Sequence, residues 1–415
     1  MKRVAFKTVG CRLNQAETAR LAAAFEAAGY RLVPFGAACD VCVIHTCAIT
    51  RRAEQKCRQY ARAARRAHPA ARLVLAGCAV DVLGPELRRQ TEADLLAGRA
   101  DKFRLPQLLD PQPATAARPP AGSDPLPRFD ATRALLAVQD GCDFRCAYCV
   151  VPAARGPSRS RPFAAVLDEA RRLSEAGYRE LVLTGANLGC YADGSRRLVD
   201  LIAAIEALPD VARIRLSSIE CTTVERPVLD YMAASAKLCH YLHLPLQSGD
   251  DGILRAMGRR YTAAQYRDVA AYAAQRVPRL GLGTDVLVGF PGETDAAFAN
   301  TERLVRELPF SNLHVFPYSR RPGTPAADLP DQVPARLKQE RAARLLALGR
   351  EQRAAFAEGF VGRTVAALIE RVDARGCARG WTGERLEARL RAAGVERNRI
   401  VAFVPARAED GILYG

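Results

Sequence analysis

The segment 141-GCDFRCAYCVVPAARG-156 contains three cysteines, Cys142, Cys146 and Cys149, in a C-x3-C-x2-C array. It follows directly after an apolar run at 135–138 that predicts a β-strand. Three thiolates on one short loop can bind three irons of a 4Fe–4S cluster, which leaves the fourth iron open to a small molecule. Zinc or simple burial of the thiols are the alternatives, but zinc usually takes a fourth Cys or His, and none follows within the loop. The array therefore predicts a 4Fe–4S cluster with one open coordination position.

Further apolar runs on the C-terminal side of this loop alternate with helical patterns. With the first run, the six predicted strands lie at 135–138, 181–184, 214–217, 241–244, 286–289 and 313–316. Alternating strands and helices are typical of parallel α/β architecture, and six units predict a partial (β/α)6 barrel within residues 128–357. The chemistry of such a barrel lies at the C-terminal ends of its strands, where the cysteine loop is also expected.

The N-terminal residues 1–110 predict a small doubly wound parallel sheet. Strands are predicted at 4–9, 41–45 and 73–76, joined by two crossover helices. Near the start of the first helix, Asn14 and Glu17 resemble a capping pair.

Three more cysteines, Cys11, Cys47 and Cys78, each lie two or three residues beyond one of these N-terminal strands. The C-terminal ends of parallel strands share one edge of the sheet, so the three thiols can meet there. This placement suggests a second three-cysteine cluster site. Chance placement of scattered cysteines is the alternative. A further pair, Cys39 and Cys42, is interpreted as buried rather than as a redox dithiol, because Cys42 lies in the apolar run VCVI.

Two other segments differ in composition from the rest. Residues 111–127 contain six prolines and are interpreted as a linker between domains, because this mixture cannot build a core. Residues 358–415 predict a small third domain, with strands at 365–369 and 400–404 and a helix-like ERLEARLRAAG at 384–394 between them. Their charge is nearly balanced, with 10 Arg against 8 acidic residues.

The overall charge favours a polyanionic partner. The chain has 61 Lys and Arg against 45 Asp and Glu, a net charge of +16 at pH 7, and such a surplus attracts nucleic acid most often. Neither a signal peptide nor a run of eighteen apolar residues is apparent, so we expect a cytoplasmic protein without a membrane segment. The 13 cysteines are an odd number, and metal binding explains some of them better than a disulfide framework.

A series of motifs occurs in one order between residues 7 and 326: GCRLN, HTCAIT and AGC, then the cysteine loop with ARGPSRSR, then HLPLQSGDDGILRAMGRRYT, DVLVGFPGET and FPYSRRPGTPA. This series resembles that of the radical S-adenosylmethionine (SAM) methylthiotransferases. The resemblance implies a methylthiotransferase domain in residues 1–110, which binds an auxiliary 4Fe–4S cluster through Cys11, Cys47 and Cys78. It also implies a radical SAM core in residues 128–357, with the SAM-binding cluster on the loop, and a TRAM-like RNA-binding β domain in residues 358–415.

Candidate SAM-binding residues follow the barrel strands. They are Gly185, Ser218, Glu220 and Gln247. The glycine allows main chain to approach SAM closely, whereas each polar side chain has helix capping as its alternative role. The common radical SAM pattern G-x-I-x-G is altered to DVLVG, with Asp285 and Leu287 in place of its first Gly and Ile. This change weakens the prediction of an adenine contact on that strand.

Candidate RNA-binding residues are Arg155, Arg159 and Arg161 after the cysteine loop, which are suited to phosphates, and Trp381, which offers a stacking surface. The predicted helix at 50–68 is also basic; its cations are Arg51, Arg52, Lys56, Arg58, Arg62, Arg65 and Arg66. For this helix a merely solvated face is an equally good interpretation.

The resemblance implies that SAM cleavage produces a 5′-deoxyadenosyl radical, which abstracts hydrogen from an adenine, and that a methylthio group is then transferred. The motifs LPLQSG and LTGANLGCY favour N6-threonylcarbamoyladenosine at position 37 of tRNA, modified at C2. The alternatives are N6-isopentenyladenosine at the same position and an aspartate of a ribosomal protein. An electron donor such as flavodoxin or ferredoxin is expected, and the source of the inserted sulfur is open. A hypothesis from another class is a non-catalytic iron–sulfur protein that binds RNA.

Overall fold

The computed structural model describes residues 1–111, 125–129, 132–391 and 394–415, so residues 112–124 of the predicted linker at 111–127 lie outside the described residues. Two α/β units, each built around parallel strands, are followed by an all-β sheet. The predicted fold class is confirmed. None of the helices in the described ranges combines the length and the apolar character needed to span a bilayer.

The first unit is a five-stranded parallel sheet in the order β2-β1-β3-β4-β5. Its strands are β1 (Arg3–Thr8), β2 (Arg31–Val33), β3 (Val41–Thr46), β4 (Arg72–Gly77) and β5 (Leu95–Ala97). Its helices are α1 (Arg12–Ala27), α2 (Arg51–Ala67), α3 (Cys78–Thr91) and α4 (Leu105–Leu109), with a 3-10 turn at Lys102–Arg104. The sequence predicted β1, β3 and β4. The other two strands have three residues each, too few to show a periodic pattern.

The predicted capping role of Asn14 and Glu17 is wrong. Helix α1 begins at Arg12, and its N-cap residue Cys11 makes no side-chain capping bond. Asn14 is buried and donates to the carbonyls of Val9 and Thr46 at 2.9 Å each, while Glu17 is buried among cations. Both side chains therefore serve contacts within the interior and not the start of the helix.

The second unit is a partial barrel of six parallel strands. They are β6 (Arg133–Ala137), β9 (Glu180–Thr184), β12 (Arg213–Leu216), β13 (Tyr241–His243), β14 (Gly281–Val288) and β15 (Phe310–Pro317). Two three-stranded sheets, β6-β9-β12 and β13-β14-β15, are joined by bridges that pair Ile214 with Leu238 and Ser218 with His243. All six predicted strands are present. Two antiparallel pairs extend the connections: β7 (Gln139–Asp140) with β8 (Arg159–Ser160), and β10 (Ala192–Asp193) with β11 (Arg196–Arg197).

Helices cover the outer face of this barrel. They are α6 (Phe163–Glu175), α7 (Leu198–Glu206), α8 (Arg226–Ala234), α9 (Asp251–Ala256), α10 (Ala263–Arg276), α11 (Asp295–Glu307) and α12 (Ala335–Glu358), with 3-10 turns at Leu188–Cys190 and Pro325–Ala327. The short helix α5 (Val151–Arg155) packs instead against α3 of the first unit. Alternate strand residues such as Leu181 and Leu183 join the large apolar core under the helices. Side chains of a strand alternate between its two faces, so Glu180 and Val182, which alternate with these leucines, face the barrel interior.

The third unit is a six-stranded sheet in the order β19-β16-β17-β18-β21-β20. Its strands are β16 (Val365–Val372), β17 (Cys377–Thr382), β18 (Glu387–Arg391), β19 (Ile400–Phe403), β20 (Arg407–Glu409) and β21 (Ile412–Tyr414). The helix predicted at 384–394 is wrong, because strand β18 occupies Glu387–Arg391; residues 392–393 lie outside the described residues. Leu386, Ala388 and Leu390 alternate along the chain and are all buried, which is a period of two and therefore a strand pattern.

The turn between β17 and β18 closes the N-terminal end of the barrel. Arg215 donates to the carbonyls of Thr382 and Gly383 at 2.9 Å each, and Arg213 donates to the carbonyl of Trp381 at 3.0 Å. A Cβ added at Gly281 of β14 would lie 2.4 Å from the carbonyl oxygen of Glu384. The all-β sheet is thus tied to the barrel interior by backbone contacts.

Glu180 compensates the arginines at this end of the barrel. Its side chain is fully buried and accepts from Arg215 Nε at 2.8 Å. Burial by itself would raise the pKa of Glu180, but the charges of Arg215, Arg213 and Arg133 hold it at about 2. The shift corresponds to about 3 kcal/mol of stability, present above the ordinary pKa near 4.5 and lost as the pH falls towards 2.

We expect Glu180→Gln to lower the free energy of unfolding by about 3 kcal/mol at pH 7 and by about half as much at pH 3. The measurement is urea unfolding of the iron-free, full-length chain at both pH values. Glu307→Gln is the matched control, because its ion pair with Arg267 lies on the surface and is expected to contribute at most about 1 kcal/mol. An equal loss at pH 7 and pH 3 would contradict the assigned charge interaction.

Candidate iron–sulfur and SAM site

The three N-terminal cysteines follow three strands that are neighbours in the sheet. Cys11 follows β1, Cys47 follows β3 and Cys78 follows β4, at the edge where the strand order of this sheet type reverses and ligands bind. The Sγ atoms of Cys11 and Cys78 lie 3.7 and 4.0 Å from Asn14 Oδ1. The three thiols therefore converge on one side of Asn14.

Gly10 allows the loop of Cys11 to approach Cys47. Its φ is +116°, and a Cβ added there would lie 2.8 Å from Cys47 Cβ and 3.0 Å from its Sγ. Any other residue would be strained and would push the two cysteines apart. The glycine of the GCRLN motif is thus required by the packing around the thiols.

A buried group of charges lies beside this cysteine trio. Arg155, the last residue of α5, donates to Glu17 Oε1 at 3.1 Å, to Asp140 Oδ1 at 2.8 Å and to Asn14 Oδ1 at 2.5 Å. Lys102 donates to Glu17 Oε1 at 2.5 Å. Burial opposes ionisation of Glu17, but the hydrogen bond from His45 and the charges of Arg155 and Lys102 hold its pKa well below the usual range.

Arg155 links the two cysteine sites. It belongs to the helix that follows the C-x3-C-x2-C loop, while Asn14 and Glu17 belong to the helix that follows Cys11. Burial opposes the charged form of Arg155, but Glu17, Cys78 and Asp140 raise the pKa of its guanidinium. The cation therefore stays charged and fixes the two loops relative to each other.

The second cysteine trio lies at the C-terminal end of the barrel, as predicted. The backbone N–H groups of Phe144 and Val151 donate to the Sγ atoms of Cys142 and Cys149 at 3.4 Å each. Arg259 donates to Cys146 Sγ at 3.3 Å and forms an ion pair with Glu220. Such donors compensate the negative charge that thiolates carry when they bind iron.

The sequence did not single out Arg259 as a site residue. It lies 113 residues from Cys146 in the chain. Its place in the motif HLPLQSGDDGILRAMGRRYT is the one feature of the sequence that could have indicated a functional role. It connects the candidate SAM residue Glu220 to the cluster loop. Two groups that were assigned separately from the sequence are thereby brought together.

Burial raises the pKa of two thiols in each trio. The pKa rises to about 11 for Cys47 and Cys142 and to about 12 for Cys78 and Cys149. At neutral pH these thiols keep their protons until a metal displaces them, so their metal affinity depends on pH.

The spacing of the thiols fits a cluster better than a single zinc ion. Among the described residues, the only three His, Cys, Asp or Glu ligand atoms that all lie within 4.8 Å of one another belong to His243, Asp285 and His314. Thiolates on one tetrahedral zinc ion, with bonds of about 2.3 Å, lie about 4 Å apart. Neither cysteine trio is that compact, whereas the irons of a 4Fe–4S cluster take thiolates on separate corners.

The compact group around Asp285 lies inside the barrel. Asp285 Oδ1 accepts from His243 Nε2 at 3.1 Å and from His314 Nδ1 at 3.2 Å. Asn312 Nδ2 lies 3.1 Å from both His314 Nε2 and the Tyr241 hydroxyl. The residue that departs from the G-x-I-x-G pattern is thus a polar part of the barrel lining.

The other candidate SAM residues also lie at the C-terminal edge of the barrel. Gly185 follows β9, and a Cβ there would lie 2.8 Å from Gln139 Oε1. Ser218 follows β12 and is bridged to His243, and Gln247, with a φ of +65°, is bridged to Val286. Their contacts to SAM stay predictions.

The candidate RNA-binding residues are placed differently from one another. Arg155 is only 5% exposed and is fully engaged by the charges described above, so it is not on a phosphate-accessible surface. Arg161 is partly exposed and pairs with Glu169 at 2.6 Å. Trp381 is half-buried, and its Nε1 donates to Glu370 at 3.0 Å.

The remaining cysteine pair, Cys39 and Cys42, is buried as predicted.

Comparison with known proteins extends over most of the chain. Residues 136–305 match the Radical SAM superfamily, and residues 3–98 match the family described as Uncharacterized protein family UPF0004. The threonylcarbamoyladenosine tRNA methylthiotransferase MtaB of Bacillus subtilis is 35% identical over 385 residues, which are 89% of this chain and 85% of that protein. The tRNA-2-methylthio-N(6)-dimethylallyladenosine synthase of Cereibacter sphaeroides is 37% identical over 383 residues, 89% of this chain and 88% of that protein.

Among solved structures, the radical SAM methyltransferase TsrM from Kitasatospora setae aligns with a TM-score of 0.60 at 16% identity, covering 79% of this chain and 75% of that one. At this identity the likeness supports the fold alone. The full-length relatives, together with the two cysteine trios at the predicted strand ends, show that the chain belongs to the radical SAM methylthiotransferase family.

Proposed function

We propose that this protein adds a methylthio group to C2 of N6-threonylcarbamoyladenosine at position 37 of tRNA, in the cytoplasm. The observation that carries the proposal is the link between two separate cysteine trios through Arg155, Asn14 and Glu17. A protein that only carried electrons or bound RNA would not need an open barrel and two three-cysteine sites fixed beside each other. The family relationship supports the same choice over the non-catalytic hypothesis.

Within this proposal, residues 1–110, 128–357 and 358–415 act as the methylthiotransferase domain, the radical SAM core and a divergent TRAM-like domain, joined across 111–127. Cys142, Cys146 and Cys149 hold the cluster that binds SAM, and Cys11, Cys47 and Cys78 hold the auxiliary cluster. When bound, SAM and its cluster would supply a radical able to abstract hydrogen from an adenine C–H, a bond that no acidic or basic side chain ionises at neutral pH. The auxiliary cluster would hold the sulfur of the methylthio group, and the donor of that sulfur is open.

The chain's own residues position these groups and balance their charge. Arg259 compensates the negative charge of Cys146 and orients Glu220, which is a candidate contact to SAM together with Gly185, Ser218 and Gln247. Arg155 plays the corresponding role between the two trios. Fixed donors of this kind need no reorganisation when charge develops, which is the usual contribution of a protein to cofactor chemistry.

Two classes of tRNA substrate are supported by relatives of similar identity. The relatives from Bacillus subtilis and Aquifex aeolicus are named for threonylcarbamoyladenosine, at 35% and 34% identity, and the Cereibacter sphaeroides relative for dimethylallyladenosine, at 37%. The net charge of +16 favours RNA over the ribosomal-protein aspartate. The threonylcarbamoyl group is preferred because it is polar and anionic, and the half-buried Arg12 and Arg385 line a cavity between the three units of the fold.

RNA and an electron donor are the partners that the reaction requires. The exposed cations of α2, Arg51, Arg52, Lys56, Arg62 and Arg66, offer one face for phosphates, and Trp381 and Arg161 offer further contacts. A reduced flavodoxin or ferredoxin is the proposed class of electron donor.

Nucleoside mass spectrometry tests the proposed function. In tRNA from a strain that lacks the gene, we expect the methylthio form of threonylcarbamoyladenosine to disappear while the methylthio form of isopentenyladenosine is unchanged. The gene on a plasmid restores the modification, and the same plasmid carrying Cys146→Ala does not. Loss of the isopentenyl product instead would establish the second substrate. With both products unchanged, a tRNA adenosine would no longer be the target.

A further inference from the structure

A large cavity lies where the three units of the fold meet. Its volume is about 1030 Å³, and its lining includes Arg12 of α1, Arg133 of β6, and Trp381 and Arg385 at the β17–β18 turn. This volume is at the upper end of the range of small-molecule sites and is large enough for a modified nucleoside. One of its lining residues, Arg12, directly follows the candidate cluster ligand Cys11 in the chain.

Two arginines in this cavity lack a counter-charge. Among the described residues, neither Arg12 nor Arg385 has an ion-pair or hydrogen-bond partner for its guanidinium, although Arg385 stacks over the ring of Tyr241 at 5.4 Å. Arg133, by contrast, pairs with Glu370 at 2.6 Å. Half-buried guanidinium groups are normally paired, so two unpaired ones facing the same space indicate room for an anion.

The backbone at Arg385 is strained in a way that fits this role. Its φ of +68° lies in the left-handed region, which is strained for a residue other than glycine. The turn is held in place by the bonds from Arg215 to the carbonyls of Thr382 and Gly383. The all-β unit therefore places one cation in the barrel interior at an energetic cost, and among the described residues its guanidinium is stacked on Tyr241 but has no anionic partner.

The two cations also act on each other. Their charges add to those of Arg128 and Arg133, which line the same cavity. Burial lowers the pKa of the Arg385 guanidinium, and the charges of Arg215 and Arg133 lower it further. The electrostatic potential in the cavity is thus positive, and an anion placed between the two guanidinium groups relieves their repulsion.

We propose that Arg12 and Arg385 form a subsite for the carboxylate of the threonylcarbamoyl group, which makes them the residues that select this substrate over an apolar isopentenyl group. The inference rests on the proposed function and deepens it. An RNA backbone phosphate is the other anion with suitable chemistry. We favour the carboxylate because both guanidinium groups are half-buried inside the cavity, away from the outer surface, and Arg12 directly follows the candidate cluster ligand Cys11 in the chain.

The test uses the full-length, cluster-reconstituted protein and three anticodon stem-loop RNAs that differ at position 37: threonylcarbamoyladenosine, its carboxyl methyl ester, and unmodified adenosine. Dissociation constants are measured for the wild type, Arg12→Gln, Arg385→Gln and the matched control Arg128→Gln. Arg128 lies at the rim of the same cavity and is 80% exposed. Iron content near eight per chain verifies that each variant is intact.

We expect the wild type to bind the threonylcarbamoyl RNA about 10- to 100-fold more tightly than the methyl ester or the unmodified RNA, the range for losing one or two charge-assisted hydrogen bonds. In Arg12→Gln and Arg385→Gln this ratio falls towards one, and in Arg128→Gln it is unchanged. A wild-type ratio that persists in both cavity variants overturns the proposal. Equal weakening for all three RNAs also overturns it, because it indicates a backbone phosphate.

The proposed function fails in a different way. In that case the wild type forms no methylthio product on the threonylcarbamoyl RNA and does form one on an isopentenyladenosine RNA. The cavity proposal is overturned as well by this result, but the cause is visible in the wild type alone. If the wild type modifies the threonylcarbamoyl RNA and the variants keep its preference, only the assignment of the two arginines is wrong.

Discussion

Replacing Cys78 by alanine is expected to abolish methylthio transfer while cleavage of SAM to 5′-deoxyadenosine continues. The reason is that Cys78, with Cys11 and Cys47, belongs to a site separate from the loop of Cys142, Cys146 and Cys149. Iron should fall from about eight to about four per chain, because each 4Fe–4S cluster holds four irons. The measurements are iron and sulfide analysis of anaerobic protein, 5′-deoxyadenosine by chromatography, and methylthio nucleoside by mass spectrometry.

Two variants bracket this result. Cys42→Ala is the matched control, because Cys42 is buried in the same sheet and belongs to neither trio; its iron content and product should equal those of the wild type. Cys146→Ala should eliminate both 5′-deoxyadenosine and product. Retention of eight irons and of methylthio transfer in Cys78→Ala would refute the auxiliary site.

Arg155→Met is the second change with a large expected effect, and it acts on stability. Removing this cation takes one cationic partner from buried Glu17, which keeps Lys102, and removes the partner of the half-buried Asp140. Breaking a buried ion pair costs up to about 3–5 kcal/mol. Thermal and urea unfolding should therefore begin at clearly milder conditions than in the wild type. Arg161→Met is the matched control, since its pair with Glu169 is partly exposed and should contribute at most about 1 kcal/mol.

A double variant separates this charge effect from the loss of packing. Arg155→Met combined with Glu17→Gln removes opposite charges together, so the double variant should be less destabilised than the sum of the two single changes. Additive losses would argue against the ion pair. If Arg155→Met left stability unchanged and weakened only tRNA binding, the sequence-based assignment of this arginine to phosphate would be correct instead.

Much of the fold was predictable because its signals are local. Six barrel strands were predicted at the right places from apolar runs of four residues or more, and the three longer N-terminal strands likewise. The errors occurred where a local pattern has two interpretations. The stretch 384–394 has charged and apolar residues that suit either a helix or a strand, and pairing with β17 and β21 decides for the strand. Asn14 and Glu17 resemble a helix cap in the sequence, but in the structure they form buried hydrogen bonds and ion pairs with residues distant in the chain.

The sequence alone determined which six cysteines are candidates for iron, since their spacing relative to the strands and the order of the motifs are properties of the chain itself. The tertiary structure alone decided what the charged residues do. Arg155 looked like a phosphate contact, yet its partner Glu17 lies 138 positions away, and Arg259 reaches Cys146 across 113. The β17–β18 turn likewise carries no signal that it enters the barrel and presents Arg385 there. The identity of a charged residue does not show whether it is exposed or buried. Only the packing of the three units determines which arginines are buried with an anionic partner and which face a cavity without such a partner.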